Sequence, residues 1–350
     1  MFYKSICKIF CRIRMVDNKL GKLNKRELQR LLSYIKRDPR VLVPPLPGYD
    51  SGVHFLGDKC MVVSTDPCSD VPEEWFGWLL INYAASDVAL FGAKPEFCSI
   101  NLLGALGTKP TLFEKVMEQV CVAAEELNMV VVTGHTGTYK SLNKMVGVCT
   151  AYGRIDRSNL IMPSNIKSED IILQIKEIGF EVLSNFSFMR NKLSKKLFGI
   201  IKMQKLLQEI SMQSCVYEAL KLADLGGVNV MHDITEGGLV SVLNELADCS
   251  GFGFQVENEK LLIKPEIKIL QEYFSLSDDE ILSMSSSGSL IATINPKEKD
   301  RILMEISKFG IFGRVIGKFS KNNKRIMIRN KKKFVFPSVS IDPYNKILSG

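Results

Sequence analysis

No GxxxxGK[ST] stretch occurs anywhere in the sequence, which excludes a P-loop nucleotide site. CxxC pairs and zinc-type His/Cys spacings are missing too. The nine cysteines (Cys7, Cys11, Cys60, Cys68, Cys98, Cys121, Cys149, Cys215, Cys249) are odd in number and scattered through apolar runs such as "VGVCTAYG". They read as reduced core thiols of a reducing, cytoplasmic compartment. Cys7 and Cys11 would share a face of a helix, but no histidine or second pair accompanies them as metal ligands. No apolar run is long enough for a membrane span. The opening "MFYKSICKIFCRIR" is too short and too interrupted for a span or a signal peptide, so residues 1–19 read as an exposed amphipathic N-terminal extension. Met15 is an alternative start, and contact with a membrane surface is the minor alternative for this segment. Most of the basic excess behind the net charge of +8 lies at the two ends, around Lys4, Lys8, Arg12 and Arg14 and from Lys318 to Lys333. No aromatic pattern in it strengthens a nucleic-acid reading, so it reads as solvated flank and no nucleic-acid partner is expected.

What remains is an ordinary folded composition, 46% hydrophobic and 24% charged over 350 residues, which predicts two domains. An amphipathic helix over 24–36, with Asn24 as N-cap, ends at Pro39. The prolines and glycine of "VLVPPLPGYD" force an extended, turning path into a strand, "KCMVVSTD", that is expected to stop at its aspartate. A long apolar helix follows from Trp75 to Phe91, with Ala84, Ala85 and Ala89 on its packing side. Then come a strand "FCSINLLGAL", a helix over 112–127, a strand "NMVVVTGHTG" running into a turn, and a strand "MVGVCTAYGRI". This defines an N-terminal α/β domain over 20–155. Residues 156–170 form the boundary, and a C-terminal domain over 165–320 opens with the strand "IILQIKEIG". Residues 184–213, rich in Lys, Phe and Ser with weak periodicity, read as helical, partly mobile surface. Residues 321–350 are expected to be a basic tail.

Chemistry is carried by aspartates where apolar runs end or inside them: Asp50, Asp66, Asp87 and Asp233. Each alone reads first as an N-cap or turn residue. Burying an ionised carboxylate without a partner costs several kcal/mol, so four at such positions point to a magnesium and phosphate site. In "HDITEGGL", Gly237 and Gly238 open an amphipathic helix whose backbone N–H groups would cradle an anion, with Asp233 and Glu236 beside them to hold a cation or a catalytic water. The other reading of this motif is a plain helix start capped by Thr235 or Asp233. "VVVTGHTG" repeats the logic. There Gly134 and Thr136 are candidate phosphate contacts, and His135 is either a phosphate contact or a turn residue.

Three ordered blocks, "STDPCS", "ASDVALFGAKPEF" and "HDITEGGLVSVLNELADCSGFGFQVE", resemble the AIR synthase-like (PurM-like) superfamily, closest to its HypE-like hydrogenase-maturation branch. The late "SSSGSLIATI" and "IGKF" also fit, and the resemblance covers about residues 20 to 320. It implies an α/β (α+β) two-domain fold. The N-terminal ATP-binding domain would pair with a second copy through a shared β-barrel, giving a homodimer, and a C-terminal α+β domain would pack against it. By motif match Asp50, Asp66 and Asp87 would be metal ligands. Gly134, Thr136, Lys94, Gly237 and Gly238 would bind ATP, and Asp233, Glu236 and His135 would be catalytic. Lys94 is as readily a surface lysine. The implied activity is ATP- and Mg²⁺-dependent activation of an amide or carbonyl oxygen, on a small-molecule or protein-bound substrate, by phosphorylation. Two departures stand against the HypE reaction in its usual form. The tail "DPYNKILSG" has no cysteine, and "GYDSGV" holds one acid, Asp50, where the family commonly shows a pair. They support, as the alternative, a non-catalytic dimeric nucleotide-binding or scaffold paralogue.

Overall fold

The computed structural model describes Leu23 and residues 25–349; the N-terminal extension, Cys7, Cys11 and the Asn24 cap lie outside the described residues. Helix α1 (Lys25–Leu32) is followed by β1 (Val41–Val43), β2 (Gly52–Leu56), β3 (Lys59–Cys68), α2 (Phe76–Leu90), β4 (Phe97–Ala105), α3 (Pro110–Glu126), β5 (Val130–Tyr139) and β6 (Val146–Asp156). These strands make one six-stranded sheet in the order β1-β2-β3-β6-β4-β5, antiparallel except for the parallel pair β4 and β5. On β3 the residues Cys60, Val62, Ser64 and Cys68 are buried and alternate with more exposed neighbours, the period-2 pattern of a sheet covered on one face. The cover is α2.

A second, seven-stranded sheet runs β13-β12-β9-β11-β7-β10-β8. Its strands are β7 (Ile171–Ile175), β8 (Val228–Asp233), β9 (Gly253–Glu257), β10 (Leu290–Ile294), β11 (Gly313–Ser320), β12 (Arg325–Arg329) and β13 (Lys332–Val335). Helices α4 (Phe180–Met189), α5 (Asn191–Phe198), α6 (Ile200–Gln208), α7 (Val216–Leu225), α8 (Gly238–Ser250), α9 (Ile267–Phe274), α10 (Asp278–Leu282), α11 (Lys299–Lys308) and α12 (Tyr344–Leu348) surround it. The expected mixed α/β class holds.

Helix α2 joins the two halves. Every residue from Phe76 to Leu90 except Tyr83 is buried, and one hydrophobic core runs from Val62 and Leu80 through Ala85 and Val88 into Cys215, Ala219, Met231 and Leu290 of the second half. A helix apolar on all sides must be enclosed on all sides. Two of its polar groups are tied across the junction: Tyr83 Oη donates to Gln213 Oε1 at 2.8 Å, and Ser86 Oγ accepts from the Cys215 N–H at 3.2 Å.

Four expectations are corrected. Strand β3 does not stop at Asp66 but pairs with β6 as far as Cys68. "GHTG" is not a turn: Gly134 to Gly137 pair with Ile100 to Leu103 inside β5. The register slips between Cys98 and Ser99, and a Cβ on Gly134 would lie 2.4 Å from the Ile100 carbonyl oxygen, so this glycine answers a close strand approach. The 184–213 stretch is not loose surface at its start. Phe180 to Ser187 are buried because Ser184 and Ser187 return their hydroxyls to the Phe180 and Leu183 carbonyls at 2.8 Å each, and a helix buried all round shows no amphipathic period.

Residues 325–348, expected as a solvated basic tail, are the fourth. They supply β12, β13 and α12, with Phe336 enclosed edge-on against Phe254 (ring centroids 4.9 Å apart) and Ile347 buried, while the lysines of β13 face outward. Phe336→Ala is therefore expected to cost about 3–5 kcal/mol of unfolding free energy in denaturant titration. Val335→Ala, at 88% exposure, should change it by less than about 0.5 kcal/mol.

Candidate functional site

The site lies where β8, the edge strand of the second sheet, comes against α2. Asp233 ends β8, and Asp87 sits near the C-terminal end of α2, both buried. Asp66 projects from β3 two residues beyond Ser64 and therefore on the same face. Ser64 donates its hydroxyl to Asp87 Oδ2 at 2.7 Å. Asp50 arrives on the Pro-rich segment that precedes β2, which is pinned to α8 where the Cys249 thiol meets the Pro47 carbonyl at 3.7 Å. Four segments distant in sequence thus deliver one carboxylate each.

Their closeness is legible in the electrostatics. Burial, then the charges of Asp66, Asp233 and Asp50 in that order, push the Asp87 carboxyl well above the usual carboxylate range, against the pull of the Ser64 hydroxyl. In the chain as it stands these negative charges repel one another.

His232 is the residue that motif reading overlooked. It is buried beside Asp233, its Nδ1 is 3.3 Å from Asp50 Oδ2 and 3.6 Å from Asp233 Oδ1, and its Nε2 is 3.3 Å from Glu245 Oε2 on α8. Burial alone would push the imidazole down, but Asp50, Asp233 and Glu245 together push it well above its ordinary value. Asp50, His232 and Asp233 each offer a ligand atom, all within 4.8 Å of one another, the spacing of a single cation's coordination sphere. The signal was present: a histidine at a buried position of an apolar strand, directly before an aspartate, needs an acidic partner.

Not every expected residue joins this cluster. Asp50 and Asp233 meet at metal-ligand spacing, whereas Asp66 and Asp87 stand just outside that tight group, near enough to act on one another. His135 is exposed on β5 and bonds Tyr139 Oη at 2.7 Å. Across the register it is level with Pro67, but three strands away, roughly 14 Å at ~4.8 Å per strand, and within one chain Gly134 and Thr136 share that remove. Lys94 is exposed, and its carbonyl packs on Gly153, four residues along β6 from the Cys149 partner of Asp66, about 13 Å at ~3.3 Å per residue. Glu236 is exposed at the rim.

Gly237 and Gly238 do open α8, with φ of 82° and 59°, conformations that favour glycine. Neither Thr235 nor Asp233 caps the helix: the Thr235 hydroxyl goes to Asp233 Oδ1 at 3.3 Å, and the Gly237 N–H is taken, at 3.1 Å, by Asp342 Oδ2 from the C-terminal segment. Gly238 is there for packing, since a Cβ would lie 2.5 Å from the Ser283 carbonyl carbon.

Two family models match the chain: AIR synthase related protein, N-terminal domain, over residues 48–155, and AIR synthase related protein, C-terminal domain, over 167–329. Among curated proteins, one of Methanocaldococcus jannaschii described as a hydrogenase expression/formation protein is 24% identical over 291 residues, covering 80% of this chain and 82% of that protein. The solved structure of hydrogenase maturation protein HypE in complex with ATP superimposes with a TM-score of 0.69 at 18% identity, over 93% of this chain and 97% of that one. AaThiL complexed with AMPPCP and TMP gives 0.72 at 19% identity, over 94% and 99%. The fold is shared with both.

The strained carboxylates set a pH dependence. A carboxyl whose folded pKa is raised stabilises the fold fully below its unfolded value near 3.8 and loses that contribution as pH rises through the folded value; the raised His232 has the same sign above about 6.5. Metal-free protein should therefore melt lower at pH 8 than at pH 6. In EDTA at pH 8, Asp87→Asn should melt about 2–4 °C above wild type, the shift of ~1 kcal/mol. Millimolar Mg²⁺ should stabilise wild type and not the variant, as scanning calorimetry would read.

Proposed function

The chain belongs to the AIR synthase related protein family, and on that premise we propose that it is an ATP- and Mg²⁺-dependent enzyme that activates an amide or carbonyl oxygen by phosphorylation. The observation that carries this reading is the convergence of Asp50, Asp66, Asp87 and Asp233 at the junction of the two halves, at an electrostatic cost that a bound cation would offset. The donors fit Mg²⁺, since oxygen ligands predominate and phosphates can complete the coordination sphere. When bound, the ion neutralises charge on the phosphates. Asp50 and Asp233 are then the ligands held closest together. His232 spans Asp50 and Glu245 and fixes where Asp50 points. Asp66 and Asp87 would face the cation from just outside that pair, where it meets the phosphates, and Ser64 orients Asp87. Transfer of a phosphoryl group to a carbonyl or amide oxygen replaces an oxygen that leaves poorly with phosphate, and the protein's part is positioning and charge neutralisation.

The molecule acts in this reading as a homodimer. Strand β5 is the outer edge of the first sheet, with Val130 and Val132 more than half exposed, and a second copy laid along it would satisfy that edge. His135, Thr136 and Gly134 would then belong to the interface rather than to the carboxylate cluster of their own chain. The non-catalytic alternative draws on one observation, the Asp342 carboxylate seated on the Gly237 N–H where a phosphate was expected.

Calorimetry with MgATP, and ADP release measured over a panel of amides and ribonucleotides, separate the two readings. We expect MgATP binding that Asp66→Asn and Asp87→Asn each weaken by at least about tenfold, an effect of ~1.4 kcal/mol, and turnover that both abolish. Binding without turnover on any substrate would favour the scaffold, and no MgATP binding at millimolar Mg²⁺ would overturn both.

A further inference from the structure

Between Glu181 and Glu209 the chain carries no acidic residue and six basic ones, Arg190, Lys192, Lys195, Lys196, Lys202 and Lys205. Most of this stretch is the hairpin of α5 and α6, which packs chiefly on α4 and on itself. Its inner side is complete. Phe198 meets Phe186 edge-on with ring centroids 6.0 Å apart, Met203 and Leu206 are buried, and the Ser187 and Ser194 hydroxyls lie 2.9 Å apart. Gly199 makes the corner with a φ of 76°: its N–H returns to the Lys195 carbonyl, and its own carbonyl takes the Met203 N–H, each at 3.0 Å. A Cβ on Gly199 would meet nothing within 4 Å, so the corner opens on solvent. Ile200 and Ile201 stand there at 49% and 82% exposure. Two of the cations are engaged within the fold, Arg190 on the Ile347 carbonyl at 3.1 Å and Lys202 on Glu266 at 2.6 Å. Lys192, Lys195, Lys196 and Lys205 are exposed and join no ion pair among the described residues.

We propose that the corner between α5 and α6 is a docking surface for an anionic lipid bilayer, with Ile200 and Ile201 entering the headgroup region and the lysines around them meeting the charged headgroups. Charge complementarity selects the partner's sign: a run of cations with no acid among them to neutralise it attracts an anionic surface. The same charge opposes a second copy of this corner as the occupant, because it would bring lysine against lysine. The two isoleucines select a bilayer over a nucleic acid or an acidic peptide, since a phosphate backbone or a carboxylate chain has no use for an apolar pair at the point of contact. Helical spacing sets the parts side by side. Lys192, Lys195 and Lys196 share one face of α5, and Lys205 lies one turn beyond Ile201 on α6. Neither part suffices alone: two side chains bury little area, and lysines on the surface are screened by salt, but together they form a two-signal anchor. No helix of the described residues is long and apolar enough to cross a membrane, so the contact is peripheral. This inference goes beyond the reading of the carboxylate cluster and is independent of it, since α5 and α6 give that cluster no residue.

The test is flotation of the full chain with vesicles of phosphatidylcholine alone or with about one third phosphatidylserine. Binding is expected only to the anionic vesicles, and it should be lost in about 0.5 M salt, where the attraction is screened. A lysine near the surface contributes about fivefold, so Lys195→Glu/Lys196→Glu should weaken binding at least about twentyfold. Ile200→Ser/Ile201→Ser keeps every charge and should still weaken it at least about fivefold. All four positions are exposed, so both variants should melt with wild type in calorimetry. No binding to anionic vesicles, or binding that survives both variants, as attachment through the N-terminal extension would, overturns the proposal. So does equal affinity for polyglutamate or single-stranded RNA that the isoleucine variant leaves unchanged, which would assign the corner to an acidic macromolecule instead. MgATP binding retained by both variants would show that the carboxylate site stands or falls separately.

Discussion

Everything in the molecule is arranged around a carboxylate carried into the interior on a helix that has no wet side. Helix α2 lies between the two sheets, apolar over most of its surface, and Asp87 is the one acidic residue along its length. An acid in that position destabilises the fold unless its charge is removed or matched. The surroundings answer with a serine hydroxyl on one side and three further acids on others, which worsens the problem instead of solving it. Natural proteins keep such arrangements where function requires them.

How much of this the amino-acid order discloses depends on whether a feature is local. The strands of the first half and helices α2 and α3 follow from periodicity, and the mixed α/β class follows from their alternation. The aspartates at strand and helix ends were visible because a charge in an apolar run is conspicuous on inspection. His232 was less conspicuous: its meaning lies in Asp50 and Glu245, which are remote in sequence and come together only when the Pro-rich segment docks on α8.

The misreadings have a common physical origin. Glycine marks a turn when it frees the backbone, but in "GHTG" it marks a strand lying too close to its neighbour for any side chain, a distinction that periodicity does not carry. Serine and lysine suggested surface in the second half. Yet serines that bond back into their own helix are compatible with burial, and lysines on the outer positions of β13 hide that its neighbours Met327 and Phe336 are core. In each case a residue type was read for its average environment, and the tertiary partner decided otherwise.

The strand order of the first sheet has a consequence for the newborn chain. Strand β6 lies between β3 and β4, yet it is the last of the six to leave the ribosome. Until residue 156 has emerged, the hairpin of β2 and β3 and the parallel pair of β4 and β5 exist as two fragments with nothing between them, and α2 has only part of a surface to lie on. Folding of this half must wait for a central insertion rather than grow by addition at an edge, a non-local step that slows folding and leaves apolar strands open to chaperones in the interval.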